Sequence, residues 1–215
     1  MNAALFAMSI ALATAAPAAS QSEFKIGPVA LTATLPTGYC LPEGDDATAA
    51  QMVASADNVN ATLLTVNSCT KSEAWKDYYL VKVPVQLIPV TITNAELQAQ
   101  VGPALEQAID SDQINKKASE RTTETLGTEV QVKGQIKGYG KDETCLYIGG
   151  IMDAAVPKTG LKYTLAVTGC MTVVGGKMLT IYRYSPGKSE ADILRLRSAT
   201  RAFAQGIRVK AAGGK

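Results

Sequence analysis

Residues 143–170 read ETCLYIGGIMDAAVPKTGLKYTLAVTGC, and this stretch decides the fold. Two apolar segments flank a short Val-Pro-Lys-Thr-Gly sequence, which is typical of two antiparallel strands joined by a turn. We therefore predict a β-hairpin with strands near 144–152 and 162–173. If its centre lies between residues 157 and 158, Cys145 and Cys170 are cross-strand neighbours.

The four cysteines of the chain raise the question of whether they perform chemistry or hold the fold together. Four cysteines allow three disulfide connectivities. The hairpin favours Cys145 with Cys170, which leaves Cys40 to pair with Cys69. Redox catalysts commonly carry C-x-x-C, and Cys₄ zinc sites use C-x₂₋₄-C knuckles, but neither spacing occurs here. We predict two structural disulfides, no metal site and no cofactor.

The strands around this hairpin predict a larger antiparallel sheet. Gly175-Gly176 supplies the positive φ angles of a two-residue turn, so strands at 162–173 and 177–185 form a second hairpin. Further strands are predicted at 24–35, 61–69, 77–93 and 128–137. Within 77–93, Pro84 and Pro89 lack ladder donors and argue for an edge or a break. Hairpin-joined strands exclude a doubly wound parallel sheet.

Three helices are predicted between these strands. The first, over 45–59, has an apolar stripe of Ala49, Met52, Val53, Ala56 and Val59. Capping boxes at Thr93/Glu96 and Ser189/Asp192 begin the other two. The last helix carries its own stripe of Ile193, Leu196, Thr200, Phe203 and Ile207.

The middle helix is interrupted by Gly102-Pro103, which must kink or split it. Polar residues 110–125 are expected to form a frayed helix or a loop. These elements together predict an α+β fold, in which a mainly antiparallel sheet of six to seven strands carries three packed helices as an α-β-α sandwich.

The N-terminus predicts export. Residues 1–20 contain an apolar run followed by Ala16-Pro17-Ala18, the small-x-small form of a signal-peptidase site. We expect a cleaved signal peptide over 1–20, one domain over 21–209 and a disordered tail over 210–215. The mature protein is then periplasmic or secreted, with no stable membrane span.

The chain contains no histidine, which excludes Ser-His-Asp and Cys-His catalysis and any histidine-ligated metal. Gly187-Lys188-Ser189 resembles the end of a P-loop, but Tyr182 stands where the first glycine is required. No catalytic residue is predicted. The alternative is a histidine-free hydrolase or lyase that uses Ser, Lys, Tyr or carboxylate groups, such as Ser185 with Lys188.

Charge is divided unevenly along the chain. Residues 21–136 hold 8 basic and 14 acidic side chains, whereas 137–215 hold 13 basic and 5 acidic ones. The candidate partner-binding residues are Arg195, Arg201 and Arg208 on the last helix, joined in one positive region by Lys177, Arg183 and Lys188. Trp75 and Tyr78 form a second candidate surface. The expected partner is an envelope protein or an anionic polymer, not nucleic acid.

Two segments, ALTATLPTGYC (30–40) and ADILRLRSATRAFAQGIRV (191–209), stand near the beginning and at the end of the predicted order of elements. A strand ending in Leu-Pro-x-Gly-aromatic, a middle helix, a meander and a terminal helix resemble the PsbP-like and DcrB-like α-β-α sandwich proteins. Unlike DcrB-like lipoproteins, this chain has no lipidation cysteine. The resemblance implies an accessory subunit or an unassigned envelope protein without enzymatic machinery.

Overall fold

The computed structural model describes residues 20–55, 57–73, 76–107 and 109–211. The strands within these residues are β1 (Gln21–Ile26), β2 (Val29–Thr34), β3 (Tyr39–Cys40), β4 (Asn60–Ser68), β5 (Tyr78–Pro84), β6 (Gln131–Lys141), β7 (Leu146–Val156), β8 (Leu161–Val174), β9 (Lys177–Pro186) and β10 (Ile207–Val209). The helices are α1 (Asp45–Ser55), α2 (Asn94–Leu105), α3 (Ser111–Leu126) and α4 (Glu190–Gln205). Short 3-10 turns occupy Lys71–Glu73 and Val85–Leu87.

The strands form two antiparallel sheets. A seven-stranded sheet has the order β3-β4-β5-β9-β8-β7-β6, and β1, β2 and β10 form a smaller one. The predicted α+β class with an antiparallel sheet is confirmed. The β7–β8 hairpin is centred between residues 158 and 159, one residue later than predicted, so Cys170 lies opposite Tyr147.

Both disulfides have the connectivity expected from the sequence. Cys40 is bonded to Cys69 and Cys145 to Cys170, each with 5.2 Å between the Cα atoms. Cys145 lies just before β7, and it reaches Cys170 diagonally across the hairpin. The Cys145–Cys170 pair is fully buried.

The two faces of the large sheet are covered by different elements. Cys170 and Met171 are consecutive in β8 and therefore point to opposite faces. Cys170 packs in one cluster with Phe203 of α4 and Ile26 of the small sheet, whereas Met171 packs against Leu97 of α2. We call these the α4 face and the α2/α3 face. The result is a layered arrangement with the sheet between helices.

Three local predictions differ from the structure. The single strand expected at 24–35 is a hairpin of β1 and β2, because Gly27 adopts a positive φ of 56° and reverses the chain. Residues 110–125, expected to be a frayed helix or a loop, belong to α3, a regular helix that raises the helix count from three to four. Beyond Pro84 the chain leaves the sheet, so β5 covers only the first part of 77–93 and breaks at one of the two prolines expected to interrupt it.

The predicted capping boxes are confirmed. Of the predicted stripe of the last helix, Ile193, Leu196, Thr200 and Phe203 are buried in α4, whereas Ile207 is buried in β10. The stripe of α1 is not buried. Thr93 with Glu96 and Ser189 with Asp192 cap α2 and α4. In α1, Met52 is 44% exposed and Val53 43% exposed. Only Ala50 is buried in this helix, because α1 covers no more than the margin of the sheet at β4.

The predicted termini lie largely outside the described residues. This applies to residues 1–19 of the expected signal peptide and to 212–215 of the expected tail. Lys210, which was assigned to that tail, donates its backbone N–H to Ala30 O at 2.9 Å. Within the part of the chain that is described, no helix is long and apolar enough to cross a membrane.

Candidate functional site

The arginines expected to bind a partner are mostly engaged within the protein. Arg201 forms ion pairs with Asp142, at 3.2 Å, and with Glu143. Arg195 is 56% exposed and contacts Asp192 of its own helix, and Arg208 is exposed and donates to the Ile207 carbonyl. The three arginines are thus at the surface or at its margin, with Arg195 and Arg201 beside carboxylates and Arg208 beside a backbone carbonyl.

Two further basic residues of that predicted region are not available to a partner, which corrects the sequence interpretation. Lys177 is 4% exposed, and its ammonium donates to the carbonyls of Ile88 and Val90. These bonds attach the irregular segment after β5 to β9. Arg183 is also largely buried and pairs with Asp77 at 3.3 Å. Both are structural cations.

The second candidate surface consisted of Trp75 and Tyr78. Trp75 lies outside the described residues. Tyr78 is half-buried on the α2/α3 face, where its ring stacks on Tyr184 with centroids 4.6 Å apart and planes 12° from parallel. Tyr182 lies two positions before Tyr184 on β9, and the centroids of these two rings are 6.4 Å apart. Tyr78 therefore belongs to a row of rings inside the protein.

Part of this row borders a cavity of about 300 Å³ between α3 and the sheet, which we call the tyrosine cavity. Tyr182 and Tyr184 line it. Its apolar residues are Ile114, Ala118, Ile136, Ile148, Met152 and Val167. Small-molecule sites are commonly concave, mainly apolar and about this size or larger.

The polar end of the tyrosine cavity is formed by Asp57, Asn60 and Lys82. Lys82 Nζ lies 2.7 Å from Asp57 Oδ2, and Arg121 of α3 lies 3.6 Å from Oδ1. Burial raises the pKa of Asp57, but hydrogen bonds from Lys82 and Asn60 outweigh it, so the net pKa lies below the ordinary value. The carboxylate is therefore ionised at neutral pH.

The cavity tyrosines stay protonated over the physiological range. Burial, followed by the charge of Asp57, raises the pKa of Tyr182 to about 12. Burial likewise raises the pKa of Tyr184 and of Tyr78. These rings offer neutral hydroxyl groups and polarisable faces, so they can contact a ligand but cannot serve as bases near neutral pH.

Helix α3 covers the cavity and is held to the edge strand β6 by side chains at every fourth position. Ser119 Oγ accepts from Val132 N at 2.8 Å, and Asn115 Nδ2 donates to Gly134 O at 2.9 Å. The full set is Ser111 with Ile136, Asn115 with Gly134, Ser119 with Val132, and Thr123 with Val130. Four residues of α3 advance about 6.0 Å along the helix axis, and two residues of β6 advance about 6.6 Å along the strand. Every fourth side chain of α3 therefore meets the backbone of every second residue of β6.

These bonds satisfy backbone groups that an edge strand would otherwise expose. We expect Ser119→Ala to leave the Val132 N–H without an acceptor, to cost about 1 kcal/mol and to speed exchange of that amide about fivefold or more. Hydrogen exchange followed by NMR measures this. Ser198→Ala on the exposed side of α4 is the control, and equal Val132 exchange rates in the two variants would contradict the pairing.

A larger groove of about 1170 Å³ lies on the outer side of β6. Its rim carries both signs of charge, including Asp112, Lys133 and Glu190, in contact with solvent. Lys137 and Glu190 are paired across it at 3.3 Å. Mixed charge without an apolar enclosure selects no particular ligand, so the tyrosine cavity is the better candidate.

The fold does not bring together Ser185 and Lys188, the pair named for the catalytic alternative. Ser185 is buried in β9, whereas Lys188 lies beyond the strand in an exposed segment. Between these two residues, both of which are described, no hydrogen bond is formed. Asp192 instead accepts from the backbone of Lys188 and Ser189 and closes the capping box. This segment begins a helix.

The chain was compared with known families, curated proteins and solved structures. No protein-family model and no curated protein matches it. It is similar to the solution structure of cyanobacterial PsbP (CyanoP) from Synechocystis sp. PCC 6803, with 11% identity over 93% of this chain and 99% of that chain and a TM-score of 0.41. The element order of the sequence resembles the same PsbP-like group.

Proposed function

We propose that this chain is an exported, non-enzymatic binding protein of the periplasm or cell envelope, and that it holds a small, mainly apolar molecule in the tyrosine cavity. The observation that carries the proposal is the lining of the cavity. Tyr182, Tyr184 and six apolar side chains line a partly open cavity of about 300 Å³, with polar groups gathered at one end. Such a lining favours a ring-containing ligand, because aromatic faces stack on flat apolar groups.

Two features support export. Disulfides persist in oxidising compartments, and both pairs of cysteines are bonded. The small-x-small sequence Ala16-Pro17-Ala18 has the form of a signal-peptidase site. A protein with these features encounters its ligand outside the cytoplasm.

The non-enzymatic assignment rests on the chemistry available near the cavity. A general base needs a free acceptor within reach of the substrate. Asp57 is occupied by donors from Val59, Asn60 and Lys82. Because Tyr182 has a pKa near 12, its hydroxyl does not abstract protons at neutral pH. The groups near the cavity are therefore suited to binding a ligand without converting it.

Filling the cavity tests the proposal. Ala118 faces the tyrosine cavity from α3, so Ala118→Met places a flexible apolar side chain in the ligand's space without harming helix propensity. We expect this change to weaken binding of 2-naphthoate, measured by titration calorimetry, at least tenfold. Ala202→Met on the exposed side of α4 is the matched control and should bind like the parent protein.

One result of this experiment would refute the proposal. Equal affinity of Ala118→Met and the parent protein would place the ligand elsewhere and refute the cavity as the site. A melting temperature measured for each variant separates lost binding from lost fold. The parent, Ala118→Met and Ala202→Met proteins should melt within a few degrees of one another.

A macromolecular partner, either an envelope protein or an anionic polymer, is a second candidate. It is favoured by the exposure of Arg195 and Arg208, which contact only local groups among the described residues. Replacing Arg195, Arg201 and Arg208 together with glutamine should weaken binding of a polyanion such as polyphosphate, more so at low salt. Unchanged affinity would reject the α4 surface.

A further inference from the structure

We propose that the ligand of the tyrosine cavity carries one anionic group, such as a carboxylate, which accepts hydrogen bonds from Lys82 while its apolar ring lies against Tyr182 and Tyr184. This inference rests on the proposed function and specifies the ligand's chemical class. It follows from counting hydrogen-bond donors and acceptors at the polar end of the cavity.

The only carboxylate lining that end of the cavity, Asp57, is already saturated. Its Oδ1 accepts from the backbone N–H groups of Val59 and Asn60, at 3.2 and 3.0 Å. Its Oδ2 accepts from Lys82 Nζ at 2.7 Å and from Asn60 Nδ2 at 3.1 Å. Four donors, with Arg121 nearby, leave little capacity for a donor from a ligand. A cationic or donor-rich ligand would have to displace bonds that the protein already forms.

Lys82, in contrast, has donors to spare. An ammonium group carries three N–H bonds, and Lys82 gives one of them to Asp57. The side chain is 13% exposed, so water has limited access to the remaining two. An acceptor entering this end would therefore meet N–H bonds of Lys82 to which the described residues offer no acceptor.

The charges lead to the same conclusion. Asp57 contributes one negative charge, whereas Lys82 and Arg121 contribute two positive ones within 3.6 Å of its carboxylate. One positive charge is left over at the margin of a poorly solvated cavity. Away from bulk water, an anionic group that accepts a hydrogen bond from the Lys82 ammonium is attracted more strongly than it would be in water. A single anionic group compensates the excess.

Three ligands of the same shape test the inference. 2-Naphthoate, 2-naphthylmethanol and 2-naphthylmethylamine share a two-ring body and carry an anionic, a neutral and a cationic polar group. By calorimetry at neutral pH we expect naphthoate to bind at least tenfold more tightly than the alcohol. The amine should bind more weakly than either.

Variants at Lys82 identify the group responsible. Lys82→Arg keeps the charge and should retain most of the preference for naphthoate. Lys82→Met removes it and should reduce the naphthoate-to-alcohol affinity ratio to near one. Because the ratio is taken within one variant, and alcohol binding reports an intact cavity, a general loss of stability cannot imitate this result.

The results distinguish the claim that the ligand is anionic from the claim that the cavity binds a ligand. If the alcohol binds as well as naphthoate, or if Lys82→Met keeps the preference, the anionic class is wrong and the cavity stands as an apolar site. If none of the three compounds binds the parent protein, both the ligand class and the proposed function are overturned.

Discussion

Gly150→Ala is expected to destabilise the protein by about 3 kcal/mol or more, at or above the upper end of the usual cost of overpacking. Gly150 is buried in the middle of β7, opposite Ile136 of β6. A Cβ at this position would overlap the carbonyl oxygen of Gln135, which belongs to the backbone and cannot rotate away. Strand β6 would have to move, and it carries α3 and one wall of the tyrosine cavity with it.

The same substitution at Gly102 provides the control. Gly102 is also buried, but a Cβ there would lie 3.9 Å from its nearest neighbour, Leu146 Cδ2. The helix preference of alanine over glycine, up to about 1 kcal/mol, is offset by crowding of the new Cβ with Cδ of Pro103, so Gly102→Ala should have only a small effect. Urea unfolding measures both variants, and similar midpoints for the two would contradict the close packing of β6 on β7.

Removing the disulfide between Cys145 and Cys170 should have the second large effect. The loop it closes spans 25 residues, and loss of that constraint on the unfolded chain costs about 3.5 kcal/mol. Both sulfur atoms are fully buried, so their replacement by alanine should add about 1 kcal/mol or more from lost packing. We expect the double alanine variant to lose about 4–5 kcal/mol in guanidinium unfolding.

The disulfide between Cys40 and Cys69 is a natural comparison. Its loop of 29 residues predicts nearly the same entropic term, but both cysteines lie in exposed positions. Its removal should therefore cost less than removal of the buried pair, and dithiothreitol should reduce it first. Equal losses of stability, or earlier reduction of the buried bond, would contradict the packing contribution.

The sheet was predictable because its signals are local. The apolar segments around residues 157–160 and the Gly175-Gly176 turn indicate the two hairpins that order β7, β8 and β9. The register was missed by one residue because it depends on the four turn residues Pro157–Gly160, whose conformation the sequence does not specify. Both disulfides nevertheless followed, since their Cα atoms tolerate a diagonal arrangement.

Helix α3 was predicted only as a frayed helix or a loop, for a physical reason. Hydrophobic periodicity detects helices that bury an apolar stripe, whereas α3 buries hydroxyl and amide groups against the backbone of β6. The relevant pattern is Ser111, Asn115, Ser119 and Thr123, four short polar residues at four-residue intervals. The opposite error occurred at α1, where a regular apolar stripe lies at the surface because too little of the sheet extends beneath it.

The tyrosine cavity was only partly accessible from the sequence. Tyr182 and Tyr184 alternate along β9 and so must share a face, and Tyr78 was already a candidate contact residue. The pairing of Asp57 with Lys82 joins residues 25 positions apart, and contact with Arg121 requires α3 to be in place. Neither follows from local pattern, because both depend on how β5 and α3 are positioned by the sheet.

The most direct test of the central claim locates the ligand. With methyl-labelled protein, 2-naphthoate should shift the NMR signals of Ile114, Ile136, Ile148 and Val167, which line the tyrosine cavity. The exposed methyl groups of Leu161, Leu194 and Val209 should not move. Saturable shifts confined to the first group are the predicted result. Shifts confined to the exposed group, or none at millimolar ligand, would contradict a ligand site between α3 and the sheet.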